Sequence, residues 1–318
     1  MAKETEWNEC FNIGVTSIDK AHRKLFSIVR RLVELSKNEE MGKWACAEGI
    51  KYFKNYTIKH FADEERYMRA IGYKEYEMHK ILHDDMRDKT LPALEKDLEE
   101  SGYSQESIHH FLGICLGWLS AHITIEDRAI TGKISNKWSE KQLGKDTKTL
   151  ENAITYTAQE MFKLHLSIVS EHYSGDTFGK CIVHRLTYQP QHGSTDHETG
   201  ISDDISGSLS NTAKQIQVFL AYEECLILRV VNTILGTQLP KIDKLVITTA
   251  DELSRQLLHH TRIYLHSPVQ YQLVNNHLMT LEQLQKEFFT EYPHYSLLFD
   301  TGSGYFALCI KIRQPKNR

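Results

Sequence analysis

The stretch YTIKHFADEERYMRAIGY places His60 one helical turn before Glu64, among Phe61, Tyr67 and Met68. Residues four apart on a helix point the same way, so an imidazole and a carboxylate would share an otherwise apolar face. The situation recurs along the first half of the chain. His22 falls in line with Ile18, Leu25, Val29 and Leu32, and His79 and His83 with Tyr76 and Met86. His122 falls in line with Ile108, Phe111, Cys115, Trp118 and Leu119, and an acidic pair, Glu126 and Asp127, follows it. A lone histidine on such a face is usually a satisfied core residue. Five histidines with acids at one level of a core are different, because burying that many unpartnered polar groups would cost several kcal/mol each. A bound metal cluster removes the cost. Imidazole and carboxylate without cysteine suit iron, manganese or zinc.

Four amphipathic helices must carry these residues. The first begins after TSID, where Ser17 is positioned to cap it. The second runs from about Gly42 to Ala70, with Ile50, Phe53, Thr57, His60, Glu64, Tyr67 and Ile71 at alternating steps of three and four; Gly72 stops it. The third starts near Lys74, and Pro92 should kink it or open its last turns. The fourth starts near Gln105. Short connections between four helices give an antiparallel bundle. A ferritin-like, carboxylate-rich site in such a bundle needs two Glu-x-x-His motifs. Glu106 to His109 is one and its partner is missing, so a histidine-rich, carboxylate-bridged site fits better.

Beyond the bundle, expected to span residues 1–133, the polar segment 134–149 reads as a linker, and residues 150–318 read as an α+β domain. LENAITYTAQEMFKLHLSIVSEH looks helical. CIVHRLTY, DISGSLSNT and KQIQVFLAY look like strands, with the loop QPQHGSTDHETG between the first two. Two helical segments follow, EECLILRVVNTILG and roughly Asp243 to His266. A strand near VQYQLV and the hairpin YSLLFDTGSGYFALCIKI, turning at TGSG, end the chain.

Composition sets the outer bounds. Of 318 residues, 41% are hydrophobic and 25% charged, with a formal net charge of -4. This is a globular balance, and no basic stripe interleaved with aromatics points to nucleic acid. The longest apolar run, FLGICLGWLSAHI, is too short to span a bilayer, and the start MAKETEWNEC lacks the apolar stretch of a signal peptide. A cytoplasmic protein without membrane contact is therefore expected. Six cysteines without a CxxC pair read as reduced thiols. Among the remaining histidines, His109–His110 and His259–His260 read as surface or pairing residues, and His184, His192 and His197 as residues flanking a loop.

SIDKAHRKLF, KHFADEERYM, MHKILH and WLSAHITIED resemble the ligand segments of the hemerythrin family in its bacterial branch, over about residues 5–133, with Trp7 included. The resemblance implies a non-haem diiron centre, oxo- or hydroxo-bridged, that binds O2. It implies one iron on His79, His83 and His122, a second on His22 and His60, and Glu64 and Asp127 bridging them. With five imidazoles, two bridging carboxylates and one bridging hydroxide, two octahedral irons have one position left for oxygen, on the iron with two histidines. Two ferrous ions against three anionic bridges leave about one net positive charge, tolerable in an apolar pocket. Leu25, Phe26, Leu119 and Ile123 are candidates for its dry wall. In a regular helix Glu126 shares the face of His122, whereas Asp127 is turned by about 140°. The family pattern takes Asp127, so a π-turn between them is expected. Glu65 and Asp63 are expected to be solvated.

GISDDISGSLSNT, the helix ending NTILG and SLLFDTGSGYFALCIKI resemble the CheX-type chemotaxis phosphatases, over about residues 150–312. Those phosphatases carry Glu-x-x-Asn on a long helix. The matching stretch ADELSRQLLHH has Glu252, but Arg255 stands in the amide's place. An arginine has no acceptor to orient a water, so the implied role is a docking or dimerising output module. The two resemblances together imply an oxygen or redox sensor, homodimeric through its C-terminal part, with a response regulator or other signalling protein as partner. The alternatives are oxygen storage or transport, a diiron redox enzyme acting on peroxide or nitric oxide, and an active CheX-type phosphatase.

Overall fold

A computed structural model describes residues 7–37, 39–133, 147–190, 215–261 and 271–313. Contacts divide the chain into two compact units: Met1–Lys163 with Ile227–His260, and Leu164–Leu226 with Thr261–Arg318. Of the linker expected over 134–149, residues 134–146 lie outside the described residues and Thr147–Thr149 belong to a helix; the expected strand DISGSLSNT also lies outside them.

The first unit is helical. Its first two helices are α1 (Thr16–Leu35) and α2 (Glu39–Ile71). Ser17 lies inside α1 and does not cap it; the cap position is Val15, without a side-chain bond. Asp19 instead ties down the segment that leads into the helix, accepting the Ile13 N–H at 2.7 Å and the Gly14 N–H at 3.1 Å. α2 ends where Gly72 takes φ +63, a left-handed conformation that glycine adopts without steric cost.

The third helix neither breaks nor opens at Pro92. It runs as α3 (Tyr76–Asp85), a π-turn at Met86–Thr90 and α4 (Leu91–Glu100). The Leu91 N–H reaches the Met86 carbonyl, five residues back. The wider turn absorbs the clash a proline ring makes with the carbonyl four residues before it.

The fourth helix comprises α5 (Gln105–His122), a second π-turn at Ile123–Asp127 and the short α6 (Arg128–Ile130). Ser104 caps it, accepting the Ser107 N–H. Joined in this way, Gln105–Ile130 is long and apolar enough by composition to cross a membrane, which the shorter run read in the sequence was not. Its apolar window is 83% buried within the protein, as a core helix is.

A helix of a four-helix bundle ordinarily keeps one polar face for water, but α5 is buried on all sides from Phe111 to His122. The reason comes from far along the chain. α7 (Thr147–Phe162) and α8 (Glu224–Leu235) precede α9 (Lys244–Thr261), and α9 packs on α5. A Cβ on Gly113 would lie 2.6 Å from Thr248 Cβ, and one on Gly117 would lie 2.7 Å from Glu252 Cβ. α7 belongs to the same unit, and its Glu160 pairs with Arg128 at 3.0 Å.

The second unit holds a six-stranded antiparallel sheet in the order β1-β5-β6-β3-β2-β4. The strands are β1 (Ser167–Ser170), β2 (Cys181–Pro190), β3 (Gln215–Glu223), β4 (Tyr271–Met279), β5 (Tyr295–Asp300) and β6 (Tyr305–Arg313). The central pair runs in register from Gln215↔Arg313 to Tyr222↔Phe306. One face, with Val183, Phe219, Ala221, Ala307 and Cys309, packs against Leu284 and Phe288 of α10 (Leu281–Thr290).

Two differences from the sequence reading stand out. SIVS, read as the tail of a helix, is the edge strand β1. α10 was not read at all, although Thr280 and Gln283 form a capping box at its start. The TGSG turn is as expected, with positive φ at Gly302 and Gly304.

Candidate metal centre

Four helices deliver seven buried side chains to one level of the bundle. His22 comes from α1, His60 and Glu64 from α2, His79 and His83 from α3, His122 from the end of α5 and Asp127 from the π-turn; none is more than 3% exposed. They form two overlapping clusters, Glu64–His79–His83–His122–Asp127 and His22–His60–Glu64–Asp127. The candidate ligand atoms of each lie within 4.8 Å of one another. Glu64 and Asp127 belong to both, which is the arrangement of two neighbouring cation sites sharing a pair of carboxylates.

The expected π-turn is present over Ile123–Asp127. Its extra residue brings Asp127 round to the side of His122, with Nε2 to Oδ1 at 3.0 Å. Thr124 steadies the turn by donating to the Ser120 carbonyl at 2.7 Å.

The distances fit a cation. The Nε2 atom of His83 lies 3.2 Å from that of His79 and 3.0 Å from that of His122. Three nitrogens on one face of an octahedral ion, each about 2.1 Å from it, would sit about 3.0 Å apart. The polar atoms tell the same story: His22 Nε2, both Glu64 oxygens and both Asp127 oxygens are buried without a hydrogen-bond partner. Carboxylates come within 3.2 Å of His22 and 3.4 Å of His79 and His83. These contacts lack hydrogen-bond alignment, and the lone pairs converge on a common interior instead. Buried polar groups are not left so without a partner, and an imidazole–carboxylate donor set suits iron.

Surrounding groups fix the rings. The His22 Nδ1–H donates to the Phe11 carbonyl at 3.0 Å, and the His83 Nδ1–H to Glu65 Oε1 at 3.2 Å. Each donation leaves Nε2 free as a ligand, the usual support of a metal-binding histidine. Glu65, expected in solvent, is therefore buried at 8% exposure and orients His83. Asp63 is exposed as expected, paired with Arg66. Phe61 stacks on His83 at 4.0 Å and Trp118 on His122 at 4.3 Å. Leu25, Phe26, Leu119 and Ile123, the residues expected to form a dry wall, are each at most 1% exposed.

Within the cluster the acids and imidazoles shift one another's protonation. Burial and the Asp127 charge push the Glu64 carboxyl up, but His79 and His83 outweigh them and hold it below its ordinary range. Burial also opposes ionisation of Asp127, and His122, His22 and His79 overcome it. Glu65 is held down by His83. Burial would strip the proton from His79, yet Asp127 and Glu64 raise it to about 10. Against the same burial penalty, His22 is raised by Asp127 and Glu64, and His83 by Glu64 and Glu65. His60, where burial prevails, falls to about 4, and His122 is lowered likewise. The carboxylates thus favour a proton on His79, which a metal has to displace.

Some remaining groups lie elsewhere. Glu126 turns away from the cluster to His260 Nδ1 of α9 at 3.2 Å, a pairing only partly anticipated for the His259–His260 pair. His109 meets Ser36 at 3.1 Å. His184 sits fully buried within β2, in the strand read from CIVHRLTY, while His192 and His197 lie outside the described residues. Glu252 is 3% exposed and accepts from Arg255 Nε at 2.9 Å and Gln256 Nε2 at 2.7 Å. Burial outweighs these partners and leaves its carboxyl above the ordinary range. Sequence reasoning missed Glu65 and the Glu126–His260 contact. The one available signal for Glu65 was its place beside Glu64.

Residues 13–134 match the family model described as the Hemerythrin HHE cation binding domain. A bacteriohemerythrin of Clostridium acetobutylicum is 36% identical over 125 residues, 38% of this chain and 95% of that one. Hemerythrin subunit alpha of Lingula anatina is 28% identical over 132 residues, 40% of this chain and 93% of that one. A crystal structure of chemotaxis protein CheX from Vibrio vulnificus is similar with a TM-score of 0.35 and 11% identity, over 52% of this chain and 98% of that one.

Proposed function

This chain belongs to the hemerythrin family, and on that premise we propose that His22, His60, Glu64, His79, His83, His122 and Asp127 hold its two non-haem irons and that the chain serves as an oxygen or redox sensor. His79, His83 and His122 take one iron, His22 and His60 the other, and Glu64 and Asp127 serve both. The observation that carries this assignment is the pair of buried carboxylates common to both clusters, with all four oxygens lacking hydrogen bonds. When bound, two ferrous ions supply the electrons with which O2 is held and released. The chain's own residues do the rest. Leu25, Phe26, Leu119 and Ile123 keep water out, and the Phe11 carbonyl and Glu65 keep the His22 and His83 rings aimed inward. The test is iron analysis with absorption spectra before and after exposure to O2 and to azide. About two irons per chain and a charge-transfer band that appears reversibly are expected; one iron per chain, or a band that never reverses, refutes the assignment.

The sensor role, in the cytoplasm, is favoured over simple storage by the packing of α5. The helix that ends in His122 is covered by α9, whose chain continues at Thr261 into the second unit. A response regulator or another signalling protein is the partner we infer, with the second unit as the dimerising part. A phosphatase role is disfavoured because Glu252 is buried and engaged by Arg255 and Gln256 on its own helix. Small-angle scattering and partner affinity of the deoxy and azide-bound forms test the sensor role. Identical curves with equal affinity would return the protein to storage.

A further inference from the structure

α9 has an odd position in the chain. Leu226 ends one segment of the second unit and Thr261 begins the next, yet Ile227–His260 between them belongs to the compact unit that holds the metal centre. Within this excursion α9 runs parallel to α5 and the π-turn that follows it. Lys244 pairs with Glu106 at 3.6 Å, Thr248 packs on Gly113, Glu252 on Gly117, and His260 meets Glu126 at 3.2 Å. At the two glycines the backbones nearly touch: added Cβ atoms would lie 3.1 Å from the Leu245 and Thr249 carbonyl oxygens. Such a seam leaves α9 no room to shift unless α5 shifts too.

The last of these contacts reaches the metal centre. Glu126 is the residue before Asp127, inside the same π-turn. Because the turn presents Asp127 inward and Glu126 toward α9, anything that moves Asp127 also moves the atom His260 holds. A cation seated between Asp127 and the imidazoles would replace contacts of 3.0–3.4 Å to His122, His22 and His79 by bonds to metal, and any adjustment of Asp127 would pass to Glu126.

We infer that α9 is a positioning and read-out element of the metal centre: the Glu126–His260 contact couples iron occupancy to the seating of α9, and hence to the strands joined to it. The coupling rests on the diiron assignment above. It is reciprocal, so displacing α9 weakens iron binding by the same factor by which iron secures α9.

Hydrogen exchange of the full chain, metal-free and loaded anaerobically with ferrous iron, tests this. Peptides covering 244–261 are followed against α10 as an internal reference. Loading should slow exchange in α9 at least about fivefold, the lower end of typical couplings, and leave α10 unchanged. His260→Ala should abolish the slowing and raise the iron dissociation constant by a similar factor. His260→Gln, which restores an N–H donor, should recover part of both. Should His260→Ala misfold, Gly113→Ala loosens the seam without touching the ligands or the π-turn and must weaken iron binding in the same sense. Iron-loaded wild-type protein whose α9 exchanges as fast as the metal-free form overturns the inference. A chain that takes up no iron would instead overturn the diiron assignment, so the two failures are distinguishable.

Discussion

Replacing Gly117 by alanine puts the α5–α9 seam to a direct test. By helix propensity alone the change should stabilise α5 by about 1 kcal/mol, since glycine is that much the poorer helix former. The structure says the opposite. The new methyl would sit 2.7 Å from Glu252 Cβ, 2.9 Å from its Cγ and 3.1 Å from the Thr249 carbonyl. Ordinary carbon contacts are about 3.5–4.0 Å, so the helices must part by most of an ångström. None of these atoms is the free end of a side chain. Overpacking of this kind costs about 1–3 kcal/mol, so the net change should be a loss of about 1 kcal/mol, or about 2–4 °C in Tm for a unit of this size. Gly49→Ala is the control: its methyl meets Leu32 Cδ2 at 2.6 Å, a terminal atom that can swing aside. Thermal unfolding followed by circular dichroism reads the stability, and hydrogen exchange over 244–261 reads the seating. A Gly117→Ala chain more stable than wild type, with α9 equally protected, would refute the packing argument.

Further outcomes follow from the site. Glu65→Ala should leave the bundle folded but weaken iron binding about 10–100-fold, the usual cost of losing a supporting carboxylate; competition with a chelator measures it. Deleting Thr124, which removes the extra residue of the π-turn, should restore a regular helix in which Asp127 follows His122 by four residues and keeps its face, so iron uptake should stay near two per chain while helical content by circular dichroism is kept; uptake falling to one or none would refute this account of the turn. The pH response has a definite sign. His79 is raised from 6.5 to about 10 in the metal-free chain. Its stabilising contribution is therefore complete below the unfolded value and lost as pH rises toward 10. Iron must displace that proton, so loading at neutral pH should release protons to an indicator dye, and apparent iron affinity should climb with pH over the same interval.

How much of this was legible in the sequence depended on what kind of physical fact each feature was. The clustered histidines lay on apolar stripes at helical spacing, and buried imidazoles have few other uses in such numbers, so His22, His60, His79, His83 and His122 could be picked out before any coordinates. Glu65 could not. Its role depends on the second nitrogen of His83, a contact across two helices that no spacing along α2 encodes. SIVS was misassigned because a run of four residues fits a helix end and a strand equally well. Exposure is no guide there either, since three of its four positions face solvent. The apolar surroundings of α5 were plain in FLGICLGWLSAHI, but periodicity reports that a face is covered, never by what. The covering residues Thr248 and Glu252 lie more than a hundred positions away.

The acidic pair after His122 shows the limit from the other side. Helix geometry alone gives Glu126 to the cluster and sends Asp127 outward. The π-turn exchanges them. Asp127, with the shorter arm, closes on His122 and His22, and Glu126, with the longer arm, is left to reach His260 on α9. A regular helix would lose the carboxylate shared by the two clusters and the tie to α9 in one step. The inserted residue therefore serves both the metal centre and its coupling, and neither can be altered there without the other.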